Sequence, residues 1–225
     1  MSLVSAEVGA QNGRTAASAV RVATAADAAA LTRVLVRAFA DDPFISWAVR
    51  ADERRRAAYW CLFDLFVRRL SLPYGHVFTT VTLDGVALWV PPGCWKQGAI
   101  DQVRQLPAWL AIVGPRRIPH VFGAITALLS KHPTEPHYYL PFVGVDPAAQ
   151  GRGIGSAVLQ PVLRWCDTLG LGAYLENTNE RNLVFYERLG FCVLEVMLLA
   201  ADGPTVWRMW RSPVGGPAEG LHVAC

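Results

Sequence analysis

Val143-Gly144-Val145-Asp146-Pro147-Ala148-Ala149-Gln150-Gly151-Arg152-Gly153-Ile154-Gly155-Ser156 is the stretch whose reading decides the fold. Before it, Tyr138 to Val145 is apolar enough for a buried strand; after it, Ile154, Val158, Val162 and Leu169 recur at helical spacing. The order is strand, glycine loop, helix. Glycines let backbone approach a ligand closely, the first amides of a helix lack internal partners, and the helix dipole favours negative charge there. Arg152 adds a cation, so the pattern predicts a phosphate-binding loop.

The spacing then sorts the phosphate ligands. A P-loop needs two glycines separated by four residues and then Lys and Ser/Thr, whereas Ser156 follows Gly155 with no lysine in the loop. A dinucleotide fingerprint, G-x-G-x-x-G, fails at Ser156 counted from Gly151 and at Val158 counted from Gly153. Glu176 does lie roughly 20 residues on, where such a fold keeps its ribose-binding acid, so this alternative stays open beside coenzyme A.

Outward from the loop, the chain alternates short strands with helices. On the N-terminal side, Val20 to Val22 reads as a strand, followed by a helix carrying Leu31, Val34, Leu35, Ala38 and Phe39, with Thr24 and Asp27 as caps and Asp41-Asp42-Pro43 as its stop. A second helix is expected between Asp52 and Leu70, then a hairpin of His76 to Val81 and Val86 to Val90 turning at Asp84-Gly85. Pro91 to Pro136 reads as two or three short helices interrupted at Pro107, Pro115 and Pro119. On the C-terminal side, Ala173 to Glu176 is a strand, Glu180 to Leu189 a helix closed by Gly190, and Phe191 to Leu199 and Thr205 to Arg211 two more strands. Pro161 predicts a kink in the helix after the loop. The whole is a mixed α/β domain over 19–211, with a flexible leader, 1–18, and a flexible tail, 212–225.

Composition narrows the class further. With 225 residues, 52% of them hydrophobic and 17% charged, the chain can bury a sizeable core. A net charge of +3 suits an anionic cofactor and falls short of a nucleic-acid-binding surface, so no nucleic-acid partner is expected. The greasiest run, Leu106 to Gly114, is far shorter than the roughly 20 residues that span a bilayer, and no membrane association is expected. Five cysteines without CxxC spacing point to a reducing cytoplasm and no disulfides. The histidines show no metal spacing, and no metal is expected.

The loop, together with Leu175 to Phe191 (Leu-Glu-Asn-Thr-Asn-Glu-Arg-Asn-Leu-Val-Phe-Tyr-Glu-Arg-Leu-Gly-Phe), resembles the GNAT acetyltransferase superfamily, most closely its puromycin N-acetyltransferase type. Ala38 to Pro43, Ala87 to Pro91 and Val206 to Met209 fit the same type. The resemblance implies the GNAT fold, a mostly antiparallel central sheet flanked by helices, and acetyl-coenzyme A as co-substrate. It implies that Phe142, Val143 and Val145 pair through their backbone with the pantetheine arm, and that Gln150, Gly151, Arg152, Gly153, Ile154, Gly155 and Ser156 hold the pyrophosphate. Asn182, or else Asn179, would reach the arm near the thioester. Tyr186 matches the tyrosine that protonates or hydrogen-bonds the coenzyme sulfur; its alternative is helix packing beside Phe185.

Aliphatic amines are mostly protonated at neutral pH, with pKa near 10.4 for a lysine-like amine, so attack on a thioester requires a proton acceptor. Glu176, ending a strand beside the cofactor, is the first candidate base, with a solvated or capping acid as the other reading. Cys166 and Cys192 read as small core hydrophobes rather than activated thiols. Glu135 and His137, just before the cofactor strand, either border the site or, as the safer reading, lie on the surface. On the acceptor side, Asp42 is placed to attract an ammonium, and Phe44, Trp47 and Trp89 either line an apolar amine pocket or belong to the core. The resulting expectation is acetyl transfer to the primary amine of a small molecule by direct attack in a ternary complex, by a monomer or homodimer. The rivals are a protein lysine or N-terminal acetyltransferase, which needs an open groove, and a non-catalytic acyl-coenzyme A sensor.

Overall fold

The computed structural model describes residues 19–96 and 98–215; the expected leader, the tail beyond 215 and Cys225 lie outside them. Seven strands form one sheet in the order β1-β2-β3-β4-β5-β7-β6. They are β1 (Val20–Val22), β2 (Val77–Thr80), β3 (Gly85–Val90), β4 (His137–Val145), β5 (Gly172–Asn177), β6 (Cys192–Leu198) and β7 (Thr205–Arg211). Only β4 and β5 pair in parallel, so the sheet is mixed and mostly antiparallel, as the sequence predicts.

Side-chain alternation along the strands builds a core on each face. On one face, Val86 and Leu88 of β3 and Phe142 of β4 pack against α1 (Ala28–Ala38) and α3 (Arg55–Leu65). On the other, Ala87 and Trp89 of β3, Tyr138 and Leu140 of β4, and Ala173 and Leu175 of β5 pack against α6 (Ile154–Leu169). Leu140 and Phe142 share a parity yet sit on opposite faces. A register shift between Leu88 and Val90, which pair with Phe142 and Tyr139, adds a residue to β4 and reverses everything beyond it.

Three local expectations are corrected. Asp41-Asp42-Pro43 does stop α1, but it also starts α2 (Pro43–Ala48), with Asp42 as N-cap accepting from the Ile45 amide and Pro43 in the first turn. The helix expected to reach Leu70 is α-helical only to Leu65 and continues as a π-helical turn over Phe66–Ser71. The hairpin turns through Leu83, at φ +57°, while Gly85 already belongs to β3; a Cβ at Gly85 would lie 2.3 Å from the Ile154 side chain, so glycine there lets α6 seat on the sheet.

The interrupted segment resolves into α4 (Ala99–Val113) and α5 (Ile118–Ser130). Pro107 sits inside α4 on an exposed side, where solvent can satisfy the carbonyl it leaves free, and Pro119 lies in the first turn of α5. The last helix is a 3-10 turn, Glu180–Asn182, leading into α7 (Leu183–Glu187), with Gly190 at φ +87° behind it. Cys61, Cys94 and Cys166 are free. Cys192, on the edge strand β6, is disulfide-bonded, which corrects the expectation of no disulfides and of a core thiol there. No helix among the described residues is long and apolar enough to cross a membrane.

Phe63 is fully buried and meets the rings of Phe39 and Phe142 at centroid distances of 5.4 and 5.2 Å. Phe63→Ala should therefore cost about 3–5 kcal/mol in a urea unfolding titration; a loss below ~1 kcal/mol would show that this aromatic cluster does not set the stability of the face.

Candidate active site

The parallel pairing of β4 with β5 runs from His137↔Gly172 to Tyr139↔Tyr174. Beyond it β5 continues to Asn177 against β7, while β4 continues to Val145 against β3. The strands part, and the β4 backbone from Leu140 onward faces a wedge-shaped cleft. Its walls include Pro141 to Val143, Leu175 to Thr178, Asn182 and Tyr186, with Phe39 and Asp42 across the end.

β4 leads out of the cleft into the glycine loop. Gly151 and Gly153 stand at φ +76° and +77°, conformations that side chains rarely adopt. Gly153 is the N-cap of α6 and supplies no side-chain cap, so the first amides of a sixteen-residue helix are left to an external acceptor. Gln150, Arg152 and both glycines are exposed, Ile154 is buried beneath them, and Gly155 and Ser156 are half-exposed. Phe185 of α7 closes on Gly155, where an added Cβ would meet its ring at 3.2 Å. Phe142 turns its ring into the aromatic cluster of Phe39, Phe63 and Phe66, so only its backbone is available to the cleft. Val143 and Val145 pack toward α6 in the same way.

Tyr186 is 8% exposed and lines the cleft. Burial, reinforced by the charge of Asp42, raises its phenol well above the ordinary range, so the hydroxyl keeps its proton and can donate. Asp42 accepts from the Ile45 amide at 2.9 Å and from the Thr178 hydroxyl at 2.9 Å, tying the start of α2 to the end of β5. Burial raises its pKa against these hydrogen bonds.

Glu176 also lines the cleft, on the opposite sheet face from Leu175. One carboxylate oxygen accepts from the Tyr139 hydroxyl at 2.7 Å; the other is buried with no hydrogen-bond partner. Burial pushes the Cys166 thiol up to about 12, which leaves it unsuited to be a nucleophile.

Several expected residues lie elsewhere. Trp89 is fully buried between β3 and α6 and does not reach the cleft, a correction to its acceptor role. Phe44 and Trp47 join α2 to Ala124, Leu128 and Val206 rather than lining the cleft, which corrects theirs; their place follows from α2, a helix the sequence reading did not contain. Asn182 lines the cleft, whereas the Asn179 side chain caps the following turn by accepting from the Arg181 amide. His137 is 2% exposed, which corrects its surface placement. Thr178 and Tyr139 went unread as site residues in the sequence, and Phe39 was read only as part of a helix's apolar face; the alternation of β4, which puts Tyr139 opposite Tyr138, held a signal for one of them. Among the described residues, no group of three or more His, Cys, Asp or Glu is arranged to hold a metal.

Comparison with known proteins agrees with this geometry. Residues 91–191, which contain β4, the loop, α6, β5 and α7, match the model of the acetyltransferase (GNAT) family. An uncharacterized N-acetyltransferase of Schizosaccharomyces pombe is 27% identical over 187 residues, covering 76% of this chain and 73% of that protein. A mycothiol acetyltransferase of Mycobacteroides abscessus is 44% identical over 116 residues, covering 47% of this chain and 38% of that one. A solved structure, histone acetyltransferase HPA2 and related acetyltransferase from Corynebacterium glutamicum, superposes with a TM-score of 0.68 at 29% identity, over 88% of this chain and 97% of that one. The similarity to the acetyltransferase (GNAT) family thus covers the part of the chain that builds the cleft and the glycine loop.

The raised pKa of Asp42 has a direct consequence. Folding favours its protonated form, so the stability it contributes is present at low pH and is lost as pH rises above the ordinary carboxylate value of about 3.9. The stability of Asp42→Asn relative to the natural protein should therefore increase from pH 4 to pH 7 in denaturant titrations. A pH-independent difference would contradict the assignment.

Proposed function

We propose that this chain transfers the acetyl group of acetyl-coenzyme A to the primary amine of a small molecule, by direct attack within a ternary complex. The observation that carries the reading is the β4–β5 cleft, lined by both Tyr186 and Glu176, whose β4 wall runs on through the glycine loop to the uncapped start of α6. Gln150 to Ser156 hold the pyrophosphate, and the free β4 edge at Phe142 to Val145 pairs with the pantetheine arm.

Bound acetyl-coenzyme A supplies an activated acyl group on sulfur. Glu176 takes a proton from the incoming ammonium, freeing the nitrogen lone pair to form the C–N bond. As the C–S bond breaks, its electron pair leaves on sulfur and the Tyr186 hydroxyl gives up its proton to the thiolate. The second amine proton, lost as the amide forms, restores the phenol. Asp42 adds negative charge where the ammonium arrives, and Asn182 supports the arm beside Tyr186.

A small-molecule acceptor is favoured by the small cleft, whose lining includes Phe39 and Asp42, and by the likeness to a mycothiol acetyltransferase. The protein acts in the cytoplasm as a monomer or homodimer, without metal, nucleic acid or membrane.

A thiol-release assay with acetyl-coenzyme A over aminonucleosides, aminoglycosides, polyamines and peptides tests this reading. Turnover is expected with a small amine. Tyr186→Phe should lower kcat by about 10² to 10⁴-fold, the usual range for acid–base help. Gly153→Asp, which forces a side chain onto a φ of +77° and a carboxylate onto the pyrophosphate site, should raise the KM for acetyl-coenzyme A about tenfold or more, ~1.4 kcal/mol of binding. An unchanged KM would refute the cofactor placement, and turnover confined to peptides would refute the acceptor class.

A further inference from the structure

Behind Glu176, away from the cleft, two histidines from the α5–β4 connection and the start of β4 are buried in contact. His132 Nε2 lies 3.0 Å from His137 Nε2, and His137 Nδ1 lies 2.6 Å from the Glu135 carbonyl oxygen. A carbonyl only accepts, so His137 Nδ1 carries a hydrogen. Exactly one hydrogen then lies between the two Nε2 atoms, because two would clash and none would set lone pair against lone pair.

Those constraints determine what remains on the other side of His132. Its Nδ1 lies 3.6 Å from Glu176 Oε1; both atoms are buried, and neither has a hydrogen-bond partner. If the histidine pair is neutral, Nδ1 is bare and faces a bare carboxylate oxygen. If the pair holds one more proton, on either ring, Nδ1 carries a hydrogen aimed at Oε1. The imidazole is clamped in this position: the Trp95 ring stacks on it at 3.8 Å and 27°, and the Tyr174 and Tyr139 rings stand edge-on at 4.7 and 5.0 Å. Two facing acceptors buried from solvent are each satisfied by one shared proton.

We infer that His132 is the proton-accepting partner of Glu176: the proton that leaves the substrate ammonium through the Glu176 carboxylate comes to rest between Oε1 and His132 Nδ1. This deepens the proposed reaction and rests on Glu176 as its base. An N–H bond of the ammonium breaks and an Nδ1–H bond forms; the proton returns to water through the cleft once product has left. His132 touches no substrate and is a positioning residue. Its charge when protonated is shared with His137, and the Glu176 carboxylate stabilises it.

The titratable and charged groups around the pair are few. Tyr139, on β4, donates to the second Glu176 oxygen and stays protonated because burial raises its pKa. Tyr174, on β5, accepts from Arg208 Nε of β7 at 3.1 Å. Arg208 is in turn paired with Glu195 of β6, as is Lys131 at the end of α5. Burial lowers the pKa of His137 against its hydrogen bond to the Glu135 carbonyl.

The test has one readout that does not depend on turnover and one that does. Two-bond 1H–15N correlation spectra of the full chain without acetyl-coenzyme A, with rings assigned through His→Gln variants, report each ring's tautomer. Above its titration midpoint His132 should carry its hydrogen on Nε2 with Nδ1 bare, and the midpoint should fall in Glu176→Gln. A hydrogen on Nδ1 throughout, or a midpoint unmoved by Glu176→Gln, overturns the inference. Kinetically, with acetyl-coenzyme A and whichever panel amine turns over, kcat/KM should rise with pH through the same midpoint. His132→Asn keeps a donor toward Glu176 but accepts no proton. It should lower kcat about tenfold or more, less than the ~10²-fold or greater loss of a group that exchanges the proton with substrate directly, shift that limb to lower pH and leave the amine KM nearly unchanged. A raised KM with an unshifted limb would mark His132 as structural only. If no amine turns over, the acetyl-transfer reading fails and the spectra still decide whether the proton site exists.

Discussion

The structure depends on the parting of two parallel strands. β4 and β5 hydrogen-bond as far as Tyr139 and Tyr174, and then an additional residue in β4 turns Phe142 toward α1 and α3 while β5 continues along β7. Exposed backbone N–H and C=O groups in the middle of a sheet are costly unless something pairs with them. Here the unpaired edge leads directly to the start of α6, where further amides lack partners. A single chain feature thus creates an extended hydrogen-bonding surface that leads to uncapped helix amides, the arrangement on which the proposed acetyl-coenzyme A site rests.

Electrostatics at the inner end are divided among three buried groups. The Tyr186 phenol is held protonated by burial and by Asp42. Asp42 is restrained by the Ile45 amide and the Thr178 hydroxyl. Glu176, on the face away from α6, has one oxygen held by Tyr139 and the other free. A donor and two acceptors thereby converge on a small space from α7, α2 and β5, each fixed by an element whose position follows from the strand parting.

Much of this was legible in the chain. Gly151, Gly153 and Gly155 between a strand and an apolar helical pattern marked the loop at the start of α6, and the resemblance carried by Leu175 to Phe191 singled out Tyr186, which lines the cleft. What escaped was long-range. Asp41-Asp42-Pro43 reads as a stop because Pro43 ends α1; that it also begins α2 depends on Asp42 reaching the Ile45 amide. Trp89 reads as an aromatic near an amine site, and only the pairing of β3 with β4 and the seating of α6 on Gly85 place it inside the core. His137 reads as a polar residue before a strand, and its burial depends on Trp210, Tyr174 and His132 arriving from distant parts of the sequence.

Hydrogen–deuterium exchange of the full chain with and without coenzyme A tests the central claim most directly. The account predicts slowed exchange in two stretches, the β4 edge from Phe142 to Val145 and the first turn of α6 through Ser156, with the strands of the β6–β7 edge unchanged. Protection elsewhere in the chain, with these two stretches exchanging as fast as before, would contradict it.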